Sequence, residues 1–188
     1  MWHKPYRGVE FMQNNFLVSW DALNDGRYWT LLTSVFSHID FWHIFMNMFV
    51  LYNFGFAIES ILGSKQFTVF YIGSGIFSSF CHGATSNYFL HNPSLPALGA
   101  SGAVSAVILL FSFLFPHEKI LLLGIIPLPA IFGALAFVAL DVWGLMAQSS
   151  GGGLPIGHGA HLGGALAGAI YYFFYLRPKL KNRTNIVA

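Results

Sequence analysis

Gly99-Ala100-Ser101-Gly102-Ala103 opens an apolar run that continues to Phe115. A serine hydroxyl is a poor nucleophile unless a base takes its proton. A second stretch, Gly157-His158-Gly159-Ala160-His161-Leu162-Gly163-Gly164, opens another apolar run and offers such a base in His161. Gly164 and Gly168 follow His161 as a small-xxx-small stripe, and Gly102 and Ala106 follow Ser101 at the same spacing. Stripes of this kind let helix backbones approach closely, which would bring imidazole and hydroxyl within hydrogen-bond reach. Packing glycines with a capping serine account for the same letters, so spacing alone leaves both readings open.

The surrounding composition is that of a membrane protein. Of 188 residues, 55% are hydrophobic and 9% charged, with a mean hydropathy of +0.61; soluble domains carry about a quarter charged residues. Twenty Phe and twenty Gly suit helices that pack through small residues and face lipid with large ones. The formal charge of +2 and the lack of a basic-aromatic stripe argue against a nucleic-acid partner. The single cysteine, Cys81, excludes an internal disulfide.

Residues 1–37 mix Trp2, Tyr6, Phe11, Phe16, Trp20, Tyr28 and Trp29 with Lys4, Arg7, Glu10, Asp21, Asp25 and Arg27. That mixture fits an interfacial loop or cap, where aromatics are enriched. Residues 38–178 hold five apolar segments, at about 40–60, 66–85, 101–115, 119–145 and 160–176, and 179–188 form a basic tail. The fold class expected is all-α: a polytopic membrane helix bundle with about five membrane helices. The third segment would cover only about 22 Å of a roughly 30 Å hydrocarbon core. It ends at the polar turn Pro116-His117-Glu118-Lys119, so the missing length lies before Ser101, on a loop that dips inward. Pro127 and Pro129 are expected to kink the fourth segment, with Asp141 and Trp143 marking its outer end. If the segments alternate, Lys65, Lys119, Arg177, Lys179, Lys181 and Arg183 share one side, cytoplasmic by the positive-inside rule. The N-terminus then lies outside with no apolar signal core to send it there, and a further helix upstream is the expectation that resolves this.

The same alternation gathers His38, His43, Asn47, Ser101, His158 and His161 in one leaflet. Ionisable groups inside a membrane are functional candidates by default. His43 and Asn47, at i and i+4, lie on one helical face; with the Ser101 N–H they could stabilise an oxyanion, or they could join two helices. His38 and His158 receive supporting or interfacial places. His38, His43, His158 and His161 could supply zinc ligands, but there is no His-Glu-x-x-His motif and Asp40 is the only acid beside them, so neither metal nor cofactor is expected. The glycine-rich run Gln148–Pro155 reads as a lid over the site or as a slack connection.

Together these motifs resemble the rhomboid family of intramembrane serine proteases. The likeness covers about residues 26–178: His38-x4-His43-x3-Asn47, Glu59 with Leu62-Gly63, Gly99-Ala100-Ser101-Gly102, and Ala160-His161-Leu162-Gly163-Gly164. The wording around Ser101 and His161 is similar to the presenilin-associated rhomboid-like subgroup, which has mitochondrial inner-membrane members and bacterial relatives. The resemblance implies Ser101 as nucleophile, His161 as general base and later acid, and His43, Asn47 and the Ser101 amide as the oxyanion hole. It implies a structural Glu59 at the inner end of the first segment. The family works as a Ser–His dyad, so Asp141 is not assigned as a third member. Two departures are expected: the family's first membrane helix has no counterpart among the five apolar segments, and its loop Trp-Arg reads Trp29-Thr30 with Arg27 nearby.

The expected activity is therefore hydrolysis of transmembrane segments of other membrane proteins. Substrate would enter from the lipid bilayer beside segment 119–145, under the loop 148–157. The alternative is a catalytically silent rhomboid-like protein that binds membrane helices; a small transporter using the histidines as proton carriers is a third reading.

Overall fold

The computed structural model describes residues 7–122 and 125–184. Trp2, Lys4 and Tyr6 of the interfacial reading, and residues 185–188 of the basic tail, lie outside them. The N-terminal segment is a chain of short helices: α1 (Arg7–Phe16), α2 (Trp20–Asn24) and α3 (Thr30–Thr33), then a 3-10 turn at Ser34–Phe36. Ser19 starts α2 by accepting the Ala22 N–H at 3.1 Å. Val18, Ala22, Thr30, Ser34 and Val35 are buried, so one face of this segment turns inward rather than resting on a surface.

The main bundle begins at Asp40, whose carboxylate accepts the His43 N–H at 2.8 Å and caps α4 (Phe41–Leu62). Gly63, at φ 77° and ψ 151°, ends α4 and starts α5 (Ser64–Tyr88) without any intervening loop. A positive φ of this kind suits glycine alone among common residues. On the outside of α4, Phe41 stacks on Phe45 and Phe45 on Phe49, and all three rings are exposed. An exposed aromatic face of this length is what a lipid-facing helix presents.

The segment expected at 119–145 needs correction. Residues Lys119–Leu122 (β1) pair antiparallel with Ile126–Pro129 (β2), with Lys119 opposite Pro129. No helix kinked at Pro127 and Pro129 runs through this stretch. Two alternating prolines remove the N–H groups a helix interior needs, and Pro129 instead precedes α7 (Ala130–Ser149). The helix is thereby displaced toward the C-terminus. Asp141 stands about two turns inside it, not at its end. After the loop comes α8 (His158–Ile170), a π-helical stretch at Tyr171–Leu176, and α9 (Arg177–Thr184). The tail expected from 179 therefore continues the helix as far as Thr184.

The fold is predominantly helical, and α6 (Ser101–Leu114) lies at its centre, packed on α4, α5, α7 and α8. Ala103, Ala106, Val107 and Leu110 of α6 are almost wholly buried. Among the described residues, α4 and α7 are by length and hydropathy the two helices able to cross a membrane, whereas α6 is apolar but has 14 residues. The expected count of about five is thus not fixed by helix length.

The closest packing is between α6 and α8. A Cβ on Gly164 would lie 1.9 Å from the Gly102 carbonyl oxygen, and one on Gly168 would lie 2.6 Å from that of Ala106. Backbone meets backbone at both points, so no side chain can move aside. Gly164→Ala should cost about 1–3 kcal/mol, the range for overpacking. Gly73→Ala, in α5 with nothing within 4 Å of the new Cβ, should leave stability unchanged or raise it by up to about 1 kcal/mol. Thermal unfolding of the two variants in detergent checks the contrast.

Candidate active site

Ser101 is the first residue of α6, so its N–H belongs to the group that a helix leaves without an intrahelical acceptor. The preceding loop is tied down on several sides. Val18 and Ala97 exchange hydrogen bonds at 3.0 and 2.8 Å, the Gly99 N–H reaches the Ser34 carbonyl at 2.9 Å, and Ser94 Oγ donates to Asp21 at 2.6 Å. The buried His82 of α5 adds an Nε2 contact to the Leu95 carbonyl at 3.0 Å. The loop before Ser101 is therefore held by the N-terminal segment and by α5.

His161 lies in the first turn of α8, and its Nε2 is 2.9 Å from Ser101 Oγ. The glycine contacts of α6 and α8 set this separation. Both side chains open into a cavity of about 1080 Å³ that is also lined by His43, Asn47, His82 and Gln148. A cavity of that size with a few convergent polar groups has the character of a ligand site.

On the opposite wall, the Ile39 N–H points to His43 Nδ1 at 3.4 Å. A neutral ring that accepts at Nδ1 carries its proton on Nε2. That nitrogen faces Gly99, where an added Cβ would lie 2.7 Å away; Gly99 has φ 118°. Asn47 is buried, and its amide gives one hydrogen to the His43 carbonyl at 2.8 Å, leaving the other. His38, outside the membrane helices, sets its ring edge-on to His43 with centroids 5.0 Å apart. Burial, then the neighbouring His43, holds the His38 imidazole below its ordinary pKa. Gln148 Nε2 donates to the Leu154 and Ile156 carbonyls at 2.7 and 2.8 Å, which ties the 150–156 loop to the last turn of α7.

Two groups beyond the expected set enter the site. Asp141 Oδ1 lies 3.0 Å from His161 Nδ1 and 2.6 Å from His158 Nδ1. His158, given only a supporting place from sequence, is buried beside Asp141. The other newcomer is His82, whose signal was legible: Ser74, Ser78 and Ser86 stand on the same side of α5 at four-residue steps. His38, His43, His158 and His161 do not gather into one ligand set. Among the described residues, the three His, Cys, Asp or Glu side chains close enough to share an ion are Asp141, His158 and His161. Their 2.6 and 3.0 Å separations are hydrogen-bond distances. Tetrahedral zinc with bonds of about 2.0–2.1 Å holds its ligand atoms further apart than this.

A family model described as the rhomboid domain matches residues 25–178. RHOMBOID-like protein 12, mitochondrial, of Arabidopsis thaliana is 39% identical over 86% of this chain and 50% of its own length. Rhomboid protein 1, mitochondrial, of Saccharomyces cerevisiae is 35% identical over 97% of this chain and 51% of its own. The human presenilin-associated rhomboid-like protein, mitochondrial, is 34% identical over 84% and 40%. The chain spans about half the length or less of these relatives. With matches of this extent to the rhomboid domain and to mitochondrial rhomboid proteins, the chain belongs to the rhomboid family.

Proposed function

We propose that the protein is an intramembrane serine endopeptidase that cleaves transmembrane segments of other membrane proteins. The observation that carries this reading is the 2.9 Å contact between Ser101 Oγ and His161 Nε2 in a large cavity. His161 takes the hydroxyl proton as Ser101 attacks the substrate carbonyl. The tetrahedral oxyanion is received by the Ser101 N–H, His43 Nε2–H and the spare Asn47 amide hydrogen. His161 then returns its proton to the leaving amine, and water from the cavity hydrolyses the acyl-enzyme.

On this reading α4–α8 all cross or enter the bilayer. The short α6 brings Ser101 below the surface, and the loop before it has backbone groups satisfied by the N-terminal segment and α5, as non-helical backbone at that depth requires. Substrate approaches from the lipid beside α7 and beneath the 150–156 loop. A helix has to unwind for its carbonyl to reach Ser101, so helix-breaking segments with small residues at the cleavage point are preferred. By likeness to its mitochondrial relatives, the membrane is the mitochondrial inner membrane, with a bacterial inner membrane as the alternative.

The test is cleavage of a reconstituted single-span substrate in proteoliposomes, read by mass spectrometry of the products. Ser101→Ala and His161→Ala should each lower kcat by at least about 10³-fold. Binding of the substrate helix by wild-type protein without cleavage would instead support a silent helix-binding role. His43→Ala and Asn47→Ala should each lower kcat by about 10–10³-fold with KM changed little, as loss of an oxyanion donor does. An equal rise in KM with kcat intact would place these two residues in substrate binding.

A further inference from the structure

We propose that the β1–β2 hairpin is a foot of α7 set into the inner leaflet, at the boundary between acyl chains and lipid headgroups. The inference rests on the bilayer-crossing reading of the bundle, not on the chemistry at Ser101. Residues 120–128 contain no polar side chain. Leu121, Ile125 and Ile126 are 61, 79 and 55% exposed. Leu121 pairs with Pro127 and Ile126 with Leu122, and strand neighbours point to opposite faces. Leu121 and Ile126 therefore lie on opposite faces of the hairpin. A protein docked on one face would leave the other in water, whereas a bilayer surrounds both.

The prolines give a second, independent indication. Pro127 stands opposite Leu121, and Pro129 opposite Lys119. Proline has no N–H to give the ladder, so the backbone groups of these two pairs point away from the partner strand. The outer edge of β2 thus has no N–H at either outward position. Such an edge resists pairing with an added strand, and it leaves no donor to be satisfied in apolar surroundings. The outer edge of β1 keeps the N–H groups of Lys119 and Leu121, which need water or headgroup oxygens. That asymmetry fits the boundary and not the bilayer centre. The exposed His117, Glu118 and Lys119 lie at the base of the hairpin, as its aqueous side.

The foot is joined firmly to the bundle. The Ala130 N–H donates to the Glu118 carbonyl at 2.8 Å and that of Ile131 to the Pro116 carbonyl at 3.3 Å. Two N–H groups that the start of α7 leaves without intrahelical partners are satisfied in this way. The buried Ser112 Oγ of α6 donates to the Ala130 carbonyl at 3.1 Å. Ile120 and Leu128 pack over Gly133, where a Cβ would collide with Ile120. The exposed apolar surface continues onto α7 through Phe132 and Leu135, one turn apart. The depth of the hairpin therefore sets the depth at which α7 starts.

The experiment is electron paramagnetic resonance of spin-labelled protein in liposomes of phosphatidylcholine and phosphatidylglycerol. Leu121→Cys, Ile125→Cys, Phe49→Cys and His117→Cys are each made in the Cys81→Ala chain and labelled. Collisions with oxygen and with a water-soluble nickel chelate are then compared. The charged chelate is kept out of acyl chains, so the oxygen-to-chelate ratio should be at least about threefold higher at Leu121 and Ile125 than at His117. Phe49, exposed on α4, supplies the lipid reference. A ratio at either hairpin position no higher than at His117, with Phe49 in lipid, overturns the foot alone. Loss of collisions with both reagents at the hairpin also overturns it, because protein then covers the apolar surface. If Phe49 itself matches His117, the bilayer-crossing reading fails and the foot with it.

Discussion

The backbone contact between α6 and α8 is the constraint on which the site depends. Gly164 sits against the Gly102 carbonyl and Gly168 against that of Ala106. Contact at two points one helical turn apart fixes the separation of the two helices and their register. Ser101 and His161 stand just outside the first of these contacts, so their side chains meet without any flexible segment between them. Small residues in a membrane interior give close packing where the hydrophobic effect between helices is absent. The same closeness permits the 2.9 Å contact between Oγ and Nε2.

A short α6 creates a second requirement. With 14 residues it cannot reach both faces of a bilayer, and the loop before it has exposed polar backbone to satisfy. The chain solves this with parts distant in sequence: Val18 from the link between α1 and α2, Asp21 from α2, Ser34 from the 3-10 turn, and His82 from α5. The N-terminal segment is therefore part of the site's support. Its loss would release the loop that carries Gly99 and Ser101, although none of its residues performs chemistry.

Much of this was legible in the residues, because the relevant patterns are local. Apolar run lengths marked α4, α5, α6 and α8, and the glycine stripe after His161 marked a close approach. The equal spacing of the two stripes allowed a close approach, but the register of Gly164 on Gly102 comes from the structure. What escaped depends on three-dimensional placement. Pro127 and Pro129 were legible as helix breakers, yet a kinked helix and a β-hairpin followed by a fresh helix satisfy the same missing N–H groups. That ambiguity displaced α7 and put Asp141 at a helix end instead of beside His158 and His161. The loop-anchoring bond from His82 to the Leu95 carbonyl joins residues whose pairing no periodicity announces. The number of bilayer crossings was likewise beyond a hydropathy reading, since α5 carries serines and a histidine along its inward face.

The central claim is that His161 activates Ser101, and covalent labelling by a fluorophosphonate probe tests it most directly. Such a probe reacts with activated serines and little with merely exposed ones. The account predicts one adduct on folded protein, mapped to Ser101 by peptide mass spectrometry and lost in His161→Ala. Labelling of Ser101 that persists undiminished in folded His161→Ala, or a folded wild-type protein that takes up no probe, would contradict it.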